Sequence, residues 1–147
     1  MLSKQSDIEA YLDMLSKKHS SLGHAVCPYL KQYRKQTQAV YVKNLQHLKT
    51  HLHTVCGILN AVGMEAIVLY GFKCGYDRLH KIADDFNRKY KKLNITILAM
   101  HPDTTDSPLG IDYNYHKPLI IVQRTNTLET ARTQLKQSKY YDNWRED

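Results

Sequence analysis

Apolar positions along this chain alternate between a helical and a strand rhythm. Ile8, Tyr11, Leu12 and Leu15 recur at helical spacing behind Ser6-Asp7-Ile8-Glu9, which has the form of a capping box, and together predict a helix over residues 7–18. Ser20–Gly23 breaks it; Pro28 disfavours helix at Cys27 and can itself open a short helix to about Lys35. Gln38–Lys43 is β-rich and predicts a short strand. Asn44 stands where it can cap a longer helix with the stripe Leu45, Leu48, Leu52, Val55, Leu59 and Val62, which Gly63 stops. Glu65–Tyr70 reads as a strand and Gly71–Gly75 as a turn. Asp77 is the expected cap of a helix buried along Leu79, Ile82, Ala83, Phe86 and Tyr90. Ile95–Met100 and Pro118–Gln123 read as strands, and Asn126-Thr-Leu-Glu129 as a capping box opening a helix through about Tyr140.

This order predicts a single α/β domain over residues 1–140 and a tail over 141–147, with a four-stranded mixed or parallel sheet and helices packed on it. A helix joins strands 65–70 and 95–100, so these are expected to be parallel, with a right-handed crossover. The continuous apolar character of the last three strands predicts burial on both faces. The only long loop is 101–117, and loops of that length in compact domains are usually functional or mobile.

Composition narrows the class. The 147 residues are 24% charged and 42% hydrophobic, which suits an ordinary globular domain with its own core. No run approaches the ~18 apolar residues of a membrane span. The N-terminal stretch lacks a signal-peptide pattern, so the expectation is a cytoplasmic protein with no membrane partner. Cys27, Cys56 and Cys74 form no C-x-x-C pair and read as reduced thiols. A net charge of +7 and eleven Tyr against two Phe leave nucleic acid open as a partner. No motif names a cofactor or an oligomeric state.

The candidate chemistry lies between the last two strands. His101-Pro102 ends one of them, and ligands in open α/β sheets sit at the carboxyl ends of parallel strands. His101 therefore reads as an acid/base or ligand group beside Lys73 and Cys74, or else as a strand-end His bonded to loop backbone. Asp103, Asp106, Asp112, Tyr113 and His116 add donors, with Asp112 or His116 as the partner of His101 and Asp103 and Tyr113 as ligand-binding groups. Two His and a carboxylate are a non-haem iron pattern, but the spacing matches no metal motif, and Asp also makes turns. Arg124 ends the last strand just before a helix N-terminus and reads as an anion clamp, or as an Arg on a solvated edge. If the last strand is parallel to its predecessor, Arg124 reaches the His101 edge. If it is antiparallel, His116 and Lys117 lie there and Arg124 at the opposite edge.

Other groups carry two readings as well. Cys27 can be a nucleophile if His24, His101 or His116 is near it, or a small buried hydrophobe. Cys56 falls on an apolar stripe and reads as core. His47 and His51 share a helix face and can chelate a metal, although a solvated face suits them better. Lys89, Lys91 and Lys92 around Tyr90 can touch phosphates or simply end a helix favourably.

Several segments resemble, in order and spacing, an uncharacterised bacterial family of small domains of unknown function. They are Cys27-Pro28-Tyr29, Ala66–Tyr70, Met100-His101-Pro102, and Pro118–Arg124 leading into Leu128–Ala131. That family has Leu-Cys-Pro-Phe near its start, a strand ending Phe-His-Pro, an Asn-rich loop and Pro-x-x-His-Leu-Leu-Arg-Glu. The resemblance covers most of residues 22–135. Here Tyr29 and Met100 stand in place of Phe, Gln123 precedes the Arg, and no acidic residue follows Arg124. The resemblance implies no particular reaction. It implies that Cys27, His101 and Arg124 share one site.

The preferred expectation is a small enzyme or small-molecule-binding domain with a polar site at loops 71–75 and 101–117, taking an anionic ligand in a reaction the residues do not name. A basic, Tyr-rich nucleic-acid-binding module and a non-catalytic interaction protein are the alternatives.

Overall fold

The computed structural model describes residues 4–17, 33–59, 64–103 and 115–136. Helix α1 (Lys4–Ser16) is followed by β1 (Thr37–Tyr41), α2 (Leu45–Ile58), β2 (Ala66–Tyr70), α3 (Tyr76–Tyr90), β3 (Ile95–Met100), β4 (Leu119–Arg124) and α4 (Thr125–Lys136). Short 3-10 turns lie at Arg34–Gln36 and Lys91–Leu93.

The four strands form one mixed sheet in the order β1-β2-β4-β3. β1 and β2 are parallel, and β4 is antiparallel to both β2 and β3. β2 and β3 thus run the same way, as expected, but β4 lies between them. Burial accounts for the order. Leu119, Ile120 and Val122 of β4 are each 0% exposed and serve both faces, which suits a central strand. β3 carries Thr96 and an exposed Leu98, and takes an edge. Burial on both faces therefore holds for β2 and β4 but not for β3.

The period-two alternation of the strands divides the core. On one face Ile67, Leu69, Ile95, Ile97, Ile120 and Val122 pack with Leu48, Leu52 and Val55 of α2 and Leu79, Ile82 and Phe86 of α3. On the other, Ala39, Val68, Tyr70 and Leu119 pack with Ile8, Tyr11, Leu12 and Leu15 of α1. Arg34 fastens α1 to the approach to β1, bonding Asp13 at 2.9 Å and also Glu9.

Backbone groups at the margins are satisfied by side chains far away in sequence. The Asn87 amide donates to the Ile97 carbonyl at 2.8 Å and accepts from its N–H at 2.7 Å, which covers part of the open edge of β3. Asn94, at φ 62°, accepts the Thr125 N–H on its carbonyl and the Asn126 N–H on its side chain. Helix α4 therefore starts at Thr125 with a remote cap, and Asn126 belongs to its first turn rather than being its cap. Similarly, Gly75 precedes α3, and Asp77 lies in the first turn, where its charge complements the helix dipole. Asn44 does precede α2, without a side-chain capping bond. Gly71 needs to be glycine: its φ is 103°, and a Cβ would come within 2.3 Å of the Tyr41 ring. The expected short helix after Pro28, the stop at Gly63 and the tail lie outside the described residues.

Candidate functional site at the carboxyl edge of the sheet

β1, β2 and β3 point in one direction, so their carboxyl ends share an edge of the sheet. Met100 and Tyr70 both stand opposite Leu119, which brings the approach to β4, Tyr115–Pro118, to that same edge. Helices α2 and α3 begin there, directly after β1 and β2. The edge therefore collects loops and the positive ends of two helix dipoles.

His101 is buried at this edge, 6% exposed. Its Nε2 lies 2.7 Å from the Cys74 carbonyl oxygen, and its Nδ1 accepts the Asp103 N–H at 3.0 Å. A carbonyl only accepts, so Nε2 carries the hydrogen and Nδ1 the lone pair; both nitrogens of a neutral ring are engaged with backbone. The ring joins the β2–α3 loop to the exit of β3. Tyr76 meets it edge-on, with ring centroids 5.8 Å apart. The Asp103 carboxylate is exposed and stands 3.7 Å from Nδ1. Lys73 is exposed on the neighbouring loop, and Cys74 is half-buried, its thiol pushed up by burial and eased down by Arg78.

The second constellation comes from the opposite face. Asp7, in the first turn of α1, receives a short hydrogen bond from the Tyr115 hydroxyl on Oδ2. The same oxygen lies 3.3 Å from His116 Nε2. Tyr115 is buried between Tyr11, at 4.9 Å, and the His116 ring, at 4.2 Å. Burial first, and the bond to Asp7 second, hold the Tyr115 phenol well above its usual range. It stays a donor, and the carboxylate can orient His116 through Nε2, leaving Nδ1 for other work. His116 and Asp7 are both substantially exposed, so this pair is reachable from solvent. Residue spacing alone misses Asp7 and Tyr115. Asp7 carries a local signal, as part of a capping box, but its partners lie more than a hundred residues away.

Arg124 is not brought to this edge. β4 is antiparallel to β3, and Arg124 stands opposite Ile95, at the other end of the strand from His101. Five residue steps of strand separate the two ends, about 17 Å. The guanidinium donates from Nε to the Met64 carbonyl at 3.0 Å and from Nη2 to the Leu59 carbonyl at 3.4 Å. Leu59 follows the last turn of α2, where a cation meets the negative end of the dipole. Of the two strand geometries the sequence allows, the antiparallel one holds, and it separates His101 from Arg124. Cys27, Asp106, Asp112 and Tyr113 lie outside the described residues.

Among the described residues no group of three or more His, Cys, Asp and Glu is placed to hold a metal ion. Cys56 is buried in the core, as its place on the stripe implies. Among those residues, too, no helix is long and apolar enough to cross a membrane. The chain matches no family model, no curated protein and no solved structure.

Proposed function

We propose that this α/β domain binds a small anionic molecule at the carboxyl edge of its sheet, between the loops 71–75 and 101–103 and the segment 115–117. One observation carries the reading: Asp7 crosses from the far face to hold both His116 and Tyr115 at the edge where the β2–α3 loop and His101 also end. A carboxylate that orients an exposed imidazole is the arrangement a proton-transferring or anion-binding histidine needs. Lys73 and Lys117 supply positive charge beside it, and the first turns of α2 and α3 add more. In this reading His116 is the group that touches the ligand. Asp7 and Tyr115 position His116, and His101 holds the two loops in register.

The test is a thermal-shift screen with simple carboxylates and phosphate monoesters, read alongside native mass spectrometry. A compound that raises Tm in the parent protein, and loses most of that effect in Asp7→Asn and His116→Ala, supports the site. If no compound shifts the parent, or if the variants respond as the parent does, the reading fails.

A further inference from the structure

A separate feature lies at the amino edge of the sheet. A groove of about 270 Å³ runs between the end of α3, the start of β3 and the start of α4, lined by Asn87, Arg88, Lys91, Ile95, Thr96 and Thr125. Arg88 and Lys91 line it, Lys89 and Lys92 adjoin them in the chain, and all four are exposed. Asp85 pairs with Arg88, while the three lysines rise from the last turn of α3 and the 3-10 turn after it.

The polar groups of the groove floor are already engaged within the fold. The Asn87 amide is closed on Ile97, the Thr96 and Thr125 hydroxyls are paired at 2.7 Å, and Asn94 takes the first two N–H groups of α4. A compact anion that needs a cradle of fixed donors is poorly served. A row of flexible cations beside a groove instead complements a chain of repeated negative charges. The Tyr90 ring, between the lysines in the chain, is stacked on Phe86 at 5.9 Å, and its hydroxyl meets His53 Nδ1 at 2.5 Å. That ring is held by the fold rather than offered to a base. The cationic row spans only about one helical turn, so it meets no more than a few phosphates.

We infer that this cationic row binds the phosphodiester backbone of a nucleic acid without reading its bases. The inference is independent of the carboxyl-edge site. Fluorescence anisotropy with labelled oligothymidine and oligoadenosine tests it. Contact between three lysines and three phosphates gives a log-affinity against log-salt slope of about −2, or roughly a twentyfold loss between 50 and 200 mM salt. Lys91→Glu/Lys92→Glu should weaken binding at least tenfold and flatten the slope. Lys43→Glu/Lys49→Glu, the same charge change at exposed positions elsewhere, should have a much smaller effect. Should the first double variant melt early, Lys91→Gln alone and the parent's salt slope decide the matter. Absence of binding, equal losses in both double variants, a strong preference for one base, or competition by inorganic phosphate at micromolar concentration would each overturn the inference.

Discussion

Arg124 and Ile95 face each other across the antiparallel β3–β4 pair, and that register places the guanidinium at the end of β3 remote from His101. Arg124 is therefore a fastening between β4 and the end of α2. Arg124→Ala should cost about 1–3 kcal/mol of stability, since two backbone carbonyls lose a charged donor. Arg124→Lys should recover only part of this, because one ammonium cannot reproduce the fork. Neither change should alter the response to any carboxyl-edge ligand once the protein is folded. Urea unfolding and ligand-induced Tm shifts separate the two effects.

His101 makes two backbone hydrogen bonds that together require one tautomer. Long-range proton–nitrogen NMR should show its hydrogen on Nε2. His101→Ala should destabilise by about 2–3 kcal/mol, because the Cys74 carbonyl and the Asp103 N–H lose a buried partner. Amide exchange should quicken at residues 73–76 and 102–103 before it does in the core. Uniform quickening along the chain would argue against a local role for the ring.

Alkaline pH should loosen the fold through its buried acids. Burial pushes the Cys56 thiol from 9.0 up to about 11. The folded value lies above the unfolded one, so the stability linked to this group is complete below about pH 9 and is lost as pH rises toward 11. Two units correspond to a loss of order 2 kcal/mol by the upper end of that window. Tyr115, raised first by burial and then by Asp7, adds a loss that begins near pH 10. Urea midpoints at pH 8, 9, 10 and 11 should fall steadily in the parent and less steeply in Cys56→Ala. Equal slopes in the two proteins would remove Cys56 as the cause. At pH 8, native-state alkylation mapped by mass spectrometry should modify Cys74 ahead of Cys56, which is 3% exposed.

Asn94 combines a left-handed backbone with a cap for α4. Asn94→Ala should cost about 1–2 kcal/mol through the lost cap and the strained φ, and Asn94→Gly should cost less because it relieves the backbone part. Asn87→Asp tests the neighbouring edge. Its carboxylate would face the Ile97 carbonyl with no donor, so the variant should melt below both the parent protein and Asn87→Ala if the amide bonds the edge as described.

What was legible in the sequence was whatever repeats with a short period. The stripe Leu48, Leu52, Val55 and the runs Ala66–Tyr70 and Leu119–Val122 announce their elements, because burial acts on neighbours along one face. The insertion of β4 between β2 and β3 was not legible, since an apolar run does not name its pairing partner. The separation of His101 from Arg124 depends on that insertion, so the sequence could only frame the two outcomes. Asp7 misleads for a related reason. It carries a familiar local reading, as part of a capping box, while its hydrogen-bond partner is Tyr115, and Asn94, which no local pattern singles out, caps a helix at Asn126; both partners are distant along the chain.

The most direct test is a titration of nitrogen-labelled protein with inorganic phosphate and with citrate, followed by amide NMR. Shifts gathered at residues 71–75, 101–103 and 115–117, together with Asp7, and abolished by His116→Ala, are the expected result. Shifts confined to residues 87–96 and 124–126, or a pattern unchanged by His116→Ala, would contradict a ligand site at the carboxyl edge.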